Sequence, residues 1–173
     1  MAEGLRVLSV DPGTQVVGYA VLDWAGDDAA VVEASVIRLT KFGSYTDRLL
    51  ALHRALREII QTYRPREVAV EDVFFARNPR SALLLGQARG VVLLTAAQLD
   101  LPIFEYTPAE VKQAIVGHGG ASKQQVQRMV ASLLHLESVP RPHDVADALA
   151  IALCHCHRTG RSGREQESSG ALS

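Results

Sequence analysis

Four acids stand at positions where a carboxylate needs a reason. Asp11 closes the apolar run Arg6–Val10. Glu71, followed by Asp72, closes Val68-Ala69-Val70. Asp144 and Asp147 lie in the segment PRPHDVADALAIAL, three residues apart and so on one face of a helix. Each has a bland explanation. Asp-Pro-Gly-Thr at 11–14 is a good turn, with Pro12 fixing φ and Asp11 able to bond its own backbone. Asp144 suits the first turn of a helix, where the dipole favours negative charge. Asp147 is harder to explain away, because Val145, Ala146, Ala148, Leu149 and Ile151 surround it. Carboxylates brought together repel unless one takes a proton or a cation sits between them. Four of them make a hard, all-oxygen site. Mg²⁺ or Mn²⁺ fits such donors, whereas Zn²⁺ prefers nitrogen or sulfur. Two such ions about 3.5–4 Å apart can hydrolyse a phosphodiester.

The elements that must position these acids follow from periodicity. Arg6–Val10, Val17–Trp24 and Ala29–Leu39 read as three successive strands. Tyr45, Leu49, Leu52, Leu56, Ile59 and Tyr63 recur at helical spacing, and Pro65 ends that helix. Val68–Val70 and Pro102–Tyr106 are short strands. Helices are predicted over Ser81–Leu99, Pro108–Val116, Ser122–Leu136 and His143–His157. Three strands followed by strands alternating with helices give a mixed α/β sheet. In an open sheet of this kind ligands collect at the strand ends, which is where Asp11 and Glu71 fall. The polar stretch after His157, rich in Gly and Ser, reads as a disordered tail over 158–173, leaving a single domain over 1–157.

With 173 residues and 47% hydrophobic content, the chain is long enough for one real core. Nothing at the N-terminus reads as a signal peptide, and no uncharged run reaches membrane-spanning length. The two cysteines, Cys154 and Cys156, suit a reducing cytosolic setting. Net charge is only −1, but it is unevenly spread. Residues 1–72 carry 8 Lys/Arg against 11 Asp/Glu, residues 73–136 carry 6 against 3, and residues 137–173 carry 4 against 5. A basic middle between acidic flanks fits a cation site beside a phosphate-binding face, or merely scattered solvated charge.

Taken in order, VDPGTQVVGYAV, VAVEDVFFARN, SALLLGQARG, EVKQAIVGHGGASKQQVQ and DVADALAIALCHCH resemble the RuvC Holliday-junction resolvase family over essentially Leu5 to His157. The resemblance implies a ribonuclease-H-like mixed five-stranded sheet flanked by helices. It also implies a bacterial, cytoplasmic homodimer that nicks two opposed strands of a four-way DNA junction with divalent metal, Mg²⁺ or Mn²⁺, two ions per site. A branch-migration helicase complex is the implied partner. By position, the family's catalytic and metal-binding acids fall on Asp11, Glu71, Asp144 and Asp147. Some members have histidine at position 144, and His143 beside it is given a secondary role.

Junction DNA needs cations and flat surfaces. Phe74 falls where the family places an aromatic against junction bases, while Phe75 is expected to pack inward. Arg77 follows closely, and Lys112 and Lys123 match the family's backbone contacts. Ser122 can cap the helix that Lys123 enters. The helix Ser81–Leu99 is apolar on nearly every face, so it is either a central sandwiched helix or a dimer interface. The second choice would centre on Leu85, Gly86, Arg89 and Gly90. The CHCH run at 154–157 is not expected to bind metal, because consecutive helical residues cannot converge on one ion. The rivals are another ribonuclease-H-like nuclease acting on RNA, an actin-like or sugar-kinase-like ATPase, and a non-catalytic junction binder. The ATPase fold would need a longer chain, and four intact acids disfavour the pure binder.

Overall fold

The computed structural model describes residues 4–72 and 78–170, the last ten of these as backbone only. Ten elements alternate along it: β1 (Leu5–Asp11), β2 (Val16–Ala25), β3 (Asp28–Arg38), α1 (Tyr45–Tyr63), β4 (Glu67–Glu71), α2 (Pro79–Gln98), β5 (Ile103–Tyr106), α3 (Pro108–Val116), α4 (Lys123–Leu133) and α5 (His143–Gly170). One five-stranded sheet runs in the order β3-β2-β1-β4-β5. β1–β2 and β2–β3 are antiparallel, while β1–β4 and β4–β5 are parallel.

Alternation along β1 explains the two-layered core. Val7 and Ser9 face one side and Leu8 and Val10 the other, all four fully or almost fully buried. Leu8, Val10, Val17, Val21, Val68 and Val70 pack with α1 and α2. Val7, Ala20, Leu22 and Ala69 pack with α3, α4 and α5. Burying a Leu or Val completely stabilises by about 1.5–3 kcal/mol, so β1 alone anchors both layers.

Local chemistry sets the helix ends. Ser44 caps α1 in a reciprocal box with Asp47, and Arg64 ends it in the left-handed region just before Pro65. Thr107 with Glu110, and Ser122 with Gln125, build the same box at α3 and α4. Gly117 closes α3 at φ 94°, a conformation that favours glycine. α4 ends at Leu133 rather than at the expected Leu136, because His135 turns into positive φ.

One further expected boundary meets a different outcome, and one of the two readings of α2 does not hold. α5 does not stop at His157 but continues as helix to Gly170. Extending an anchored helix costs little per residue, so the polar Gly/Ser sequence past 157 does not break it. α2 is not sandwiched. It buries Ala88, Val92, Thr95 and Ala96, yet leaves Leu83 69% and Leu94 57% exposed.

Candidate active site

The acids gather because three elements end at one place on one face. Val10 on β1 pairs with Val70 on β4, so Asp11 and Glu71 follow side by side on adjacent parallel strands. Both fall on the face that carries α5, since Val10 and Val70 belong to the opposite layer. α5 then starts directly over this spot. Gly18, the strand partner of Asp11, makes that approach possible: a Cβ there would lie 2.1 Å from the Asp144 carbonyl oxygen. A second tie fixes the next turn, where the fully buried Ser9 hydroxyl donates to the Ala148 carbonyl at 2.6 Å. Asp144 and Asp147 are thereby held above Asp11 and Glu71.

Electrostatics confirm the crowding. The Asp11 carboxyl is pushed up to about 8, first by loss of water and then by the charges of Glu71 and Asp147, with Asp144 adding to it. Glu71 is also raised, mainly by burial and then by Asp147, while Lys123 and Lys112 pull the other way. Of the two side chains, Asp11 is the one that burial and its acidic neighbours hold furthest toward the protonated form. The Lys123 ammonium sits 2.9 Å from Asp147 Oδ2, and that contact raises its own pKa. A proton and an ammonium thus compensate the acids.

Among the described residues, no three His, Cys, Asp or Glu side chains already surround one point where an ion could sit. The pairings just described account for this, since Asp147 is turned to Lys123 and Asp11 to Glu71. The donor set nonetheless fits a hard divalent cation. It is all oxygen, it carries mutual repulsion, and one member already holds a cationic group.

Beside the acids lies a cavity of about 270 Å³, with Glu71, Lys112, Lys123 and Asp147 at its rim and Val111, Val126 and Ala150 beneath. A larger groove of about 450 Å³ runs between β3 and α1, but it contains none of the four acids.

The remaining expected site residues are distributed as follows. Lys112 is half-buried on α3 and Lys123 exposed on α4, both on the acid face. His143 is exposed at the start of α5. Phe74, Phe75 and Arg77 lie outside the described residues. On α2, Gly86 and Gly90 are exposed, and nothing lies within 4 Å of where their Cβ would be. Leu85 is half-buried. Arg89 is half-buried and forms an ion pair with Glu105, with Asp72 at 3.3 Å, within its own chain. Cys154 and Cys156 are buried thiols pushed up to about 12 by burial. His155 is not a surface residue. Fully buried, it joins Tyr106 at 2.7 Å and Glu67 at 2.6 Å.

Ser9 and Gly18 were not singled out by sequence. A lone glycine inside a strand is the signal that could have found the second, since it marks close backbone approach.

A ribonuclease-H-like sheet with acids at the ends of two neighbouring strands and the start of the last helix defines a phosphodiester-cleaving class. The family described as "Crossover junction endodeoxyribonuclease RuvC" matches residues 7–155, and the chain belongs to that family. The RuvC of Pelotomaculum thermopropionicum is 52% identical over 153 residues, covering 88% of this chain and 93% of that one. The Thermus thermophilus RuvC structure superposes with a TM-score of 0.84 at 36% identity, over 92% of this chain and 97% of that one. A second, "T. thermophilus RuvC in complex with Holliday junction substrate", gives 0.86 at 35%, over 91% and 96%.

Proposed function

We propose that this chain resolves four-way DNA junctions by symmetric, metal-dependent nicking of two opposed strands. The observation that carries this is the acid cluster itself. Asp11 is held far above the ordinary carboxylate range, first by burial and then by Glu71, Asp147 and Asp144, on the face that also presents Lys112 and Lys123. Asp11, Glu71, Asp144 and Asp147 would hold Mg²⁺ or Mn²⁺, two ions per site. A divalent cation there supplies an activated water and compensates charge on the leaving oxygen. Asp11, the most buried of the four, would be the central ligand. Ser9 and Gly18 keep α5 at the right height. Lys112, Lys123, Phe74 and Arg77 hold backbone and bases. The products carry a 5′-phosphate and a 3′-hydroxyl.

A homodimer, formed on α2 around Leu85, Gly86, Arg89 and Gly90, places two sites about a two-fold axis and matches a two-fold junction. Support comes from the exposed Leu83 and Leu94 and the open space at Gly86 and Gly90. The cytoplasm is the proposed compartment and a branch-migration helicase the proposed partner. No helix of the described residues is long and apolar enough to cross a membrane.

The test is cleavage of a labelled synthetic four-way junction beside linear duplex and RNA of the same sequence, with Mg²⁺, Mn²⁺ or EDTA. Paired, symmetric, metal-dependent nicks confined to the junction are expected. Equal cutting of duplex or RNA would overturn the assignment.

A further inference from the structure

Lys112 and Lys123 lie on one side of the acids, on α3 and α4. The sheet register places two more cations on the other side. Cross-strand partners share a face. Asp11 pairs with Gly18, Gly18 with Val36, and Val16 with Arg38. Val36 packs into the layer that contains α5. Arg38 therefore lies on the acid face, two residues nearer the end of the sheet where Asp11 emerges. Strand spacing of about 4.8 Å and a rise of about 3.3 Å per residue put its Cα roughly 12 Å from that of Asp11. Three to four nucleotide steps of one DNA strand, at about 3.4 Å of axial rise each, cover that span.

The segment that follows, Leu39-Thr40-Lys41-Phe42-Gly43, contains a second cation and no acid. It is tied to the turn that starts at Asp11, since the Leu39 N–H donates to the Gln15 carbonyl at 2.8 Å. The Lys41 ammonium stands 5.3 Å from the Phe42 ring centroid. Both Arg38 and Lys41 are exposed, and no carboxylate of the described residues forms an ion pair with either. Their charge is lost in the bulk count, because the first 72 residues are acidic overall.

We propose that Arg38 and Lys41 hold the phosphodiester backbone of the cleaved strand on the β3 side of the acids, opposite Lys112 and Lys123. The strand is then gripped on both sides of the cut. This rests on the junction-cleaving function proposed above. The chemistry fits a DNA backbone: an exposed guanidinium at the end of β3 and an exposed ammonium on the following loop, which is hydrogen-bonded to the turn that carries Asp11, both also lining the groove between β3 and α1.

The experiment measures junction binding by the full chain across a salt series. Wild type, Arg38→Ala, Lys41→Ala and the double variant are compared, with Arg57→Ala on α1 as control. Removing one phosphate-binding cation should make the plot of log K against log salt shallower by about one unit per protomer. All of these side chains are exposed, so folding is expected to survive. A second readout replaces single phosphates by neutral methylphosphonates on either side of the cut. Wild type should lose affinity at one or two positions on one side, and the double variant should be indifferent there while still sensitive on the other side. Junction binding by wild type with the same slope in the double variant overturns this proposal alone. A wild-type chain that neither binds nor cuts junctions overturns the junction-cleaving function, and this proposal with it.

Discussion

The two ends of the sheet beneath α5 handle charge in opposite ways. At the far end polar and charged groups have found hydrogen-bonding partners. Arg6 grips Asp23 through Nε and a second guanidinium nitrogen, both at 2.7 Å, and donates to the Tyr63 carbonyl. His155 is buried between Tyr106 and Glu67. Because Glu67 can only accept, His155 Nε2 carries the proton and Nδ1 accepts from the Tyr106 hydroxyl. At the near end Asp11, Glu71, Asp144 and Asp147 crowd together, which pushes Asp11 up, and one lysine pairs with Asp147. An end built for stability pairs unlike charges. One that assembles like charges, against burial, fits the cation site proposed for it.

Asp11→Asn should break the contrast most severely. Junction cleavage should vanish if Asp11 holds the metal as proposed, while the metal-free fold should gain stability at alkaline pH. The sign follows from the direction of the shift. With its value raised from 3.8 to about 8, Asp11 binds its proton more tightly folded than unfolded. The metal-free protein therefore loses stability as pH rises from about 4 to about 8, and then levels off. Thermal unfolding in EDTA across that range should show this slope in wild type and not in Asp11→Asn. Mg²⁺ at pH 8 should stabilise wild type only, by about 1.4 kcal/mol per bound ion for each tenfold in concentration above its Kd, so about 2.7 kcal/mol for two ions, read as a rise in melting temperature. An unchanged cleavage rate in Asp11→Asn would sink the site.

The far end should respond in the opposite sense. His155 is lowered, chiefly by loss of water, with Glu67 only partly offsetting this. Its stability contribution is present above the unfolded value of about 6.5 and is lost as pH falls through the lower folded value. Replacing His155 with Phe should remove that acid-side loss. It should also cost about 2–4 kcal/mol at pH 8, since the Tyr106 hydroxyl and Glu67 lose their partner. Cleavage per folded molecule should hold, because Asp147 lies about 12 Å away along the helix and distant sites act independently. Denaturant unfolding beside the junction assay separates the two effects. A loss of cleavage matching that of Asp11→Asn would mean that the two ends are coupled after all.

Much of this contrast was legible in the sequence, though unevenly. Asp11 and Glu71 were readable because an acid closing an apolar strand breaks the pattern, and Asp147 because its neighbours are all apolar. α3 was readable to the residue, because Thr107, Pro108 and Glu110 write its start and Gly117 its end. What held the acids in place was not. Ser9 reads as one small polar residue in a strand, and only the arrival of Ala148 from far along the chain gives it a task. The buried triad was hidden for the same reason, since Glu67, Tyr106 and His155 come from three segments with no spacing between them to notice. The length of α5 was hidden because Gly and Ser argue locally for coil, while an anchored helix propagates past them.

The smallest test compares two ion pairs, one from each end. Lys123–Asp147 at 2.9 Å has side chains 62% and 25% exposed, and Arg6–Asp23 at 2.7 Å has 36% and 42%. By distance and exposure they are alike, and each should contribute about 1 kcal/mol or less. Their surroundings differ. Arg6→Ala removes a pair that nothing else replaces, so its small cost should persist in Mg²⁺ and shrink only with salt. Lys123→Ala leaves Asp147 among like charges, so its cost should appear in EDTA and disappear in Mg²⁺, when a cation takes over the role of the ammonium. Melting temperatures of both variants in EDTA and in Mg²⁺ decide it. If the Lys123→Ala deficit survives saturating Mg²⁺ as the Arg6→Ala deficit does, Asp147 is a lysine's partner and not a metal ligand.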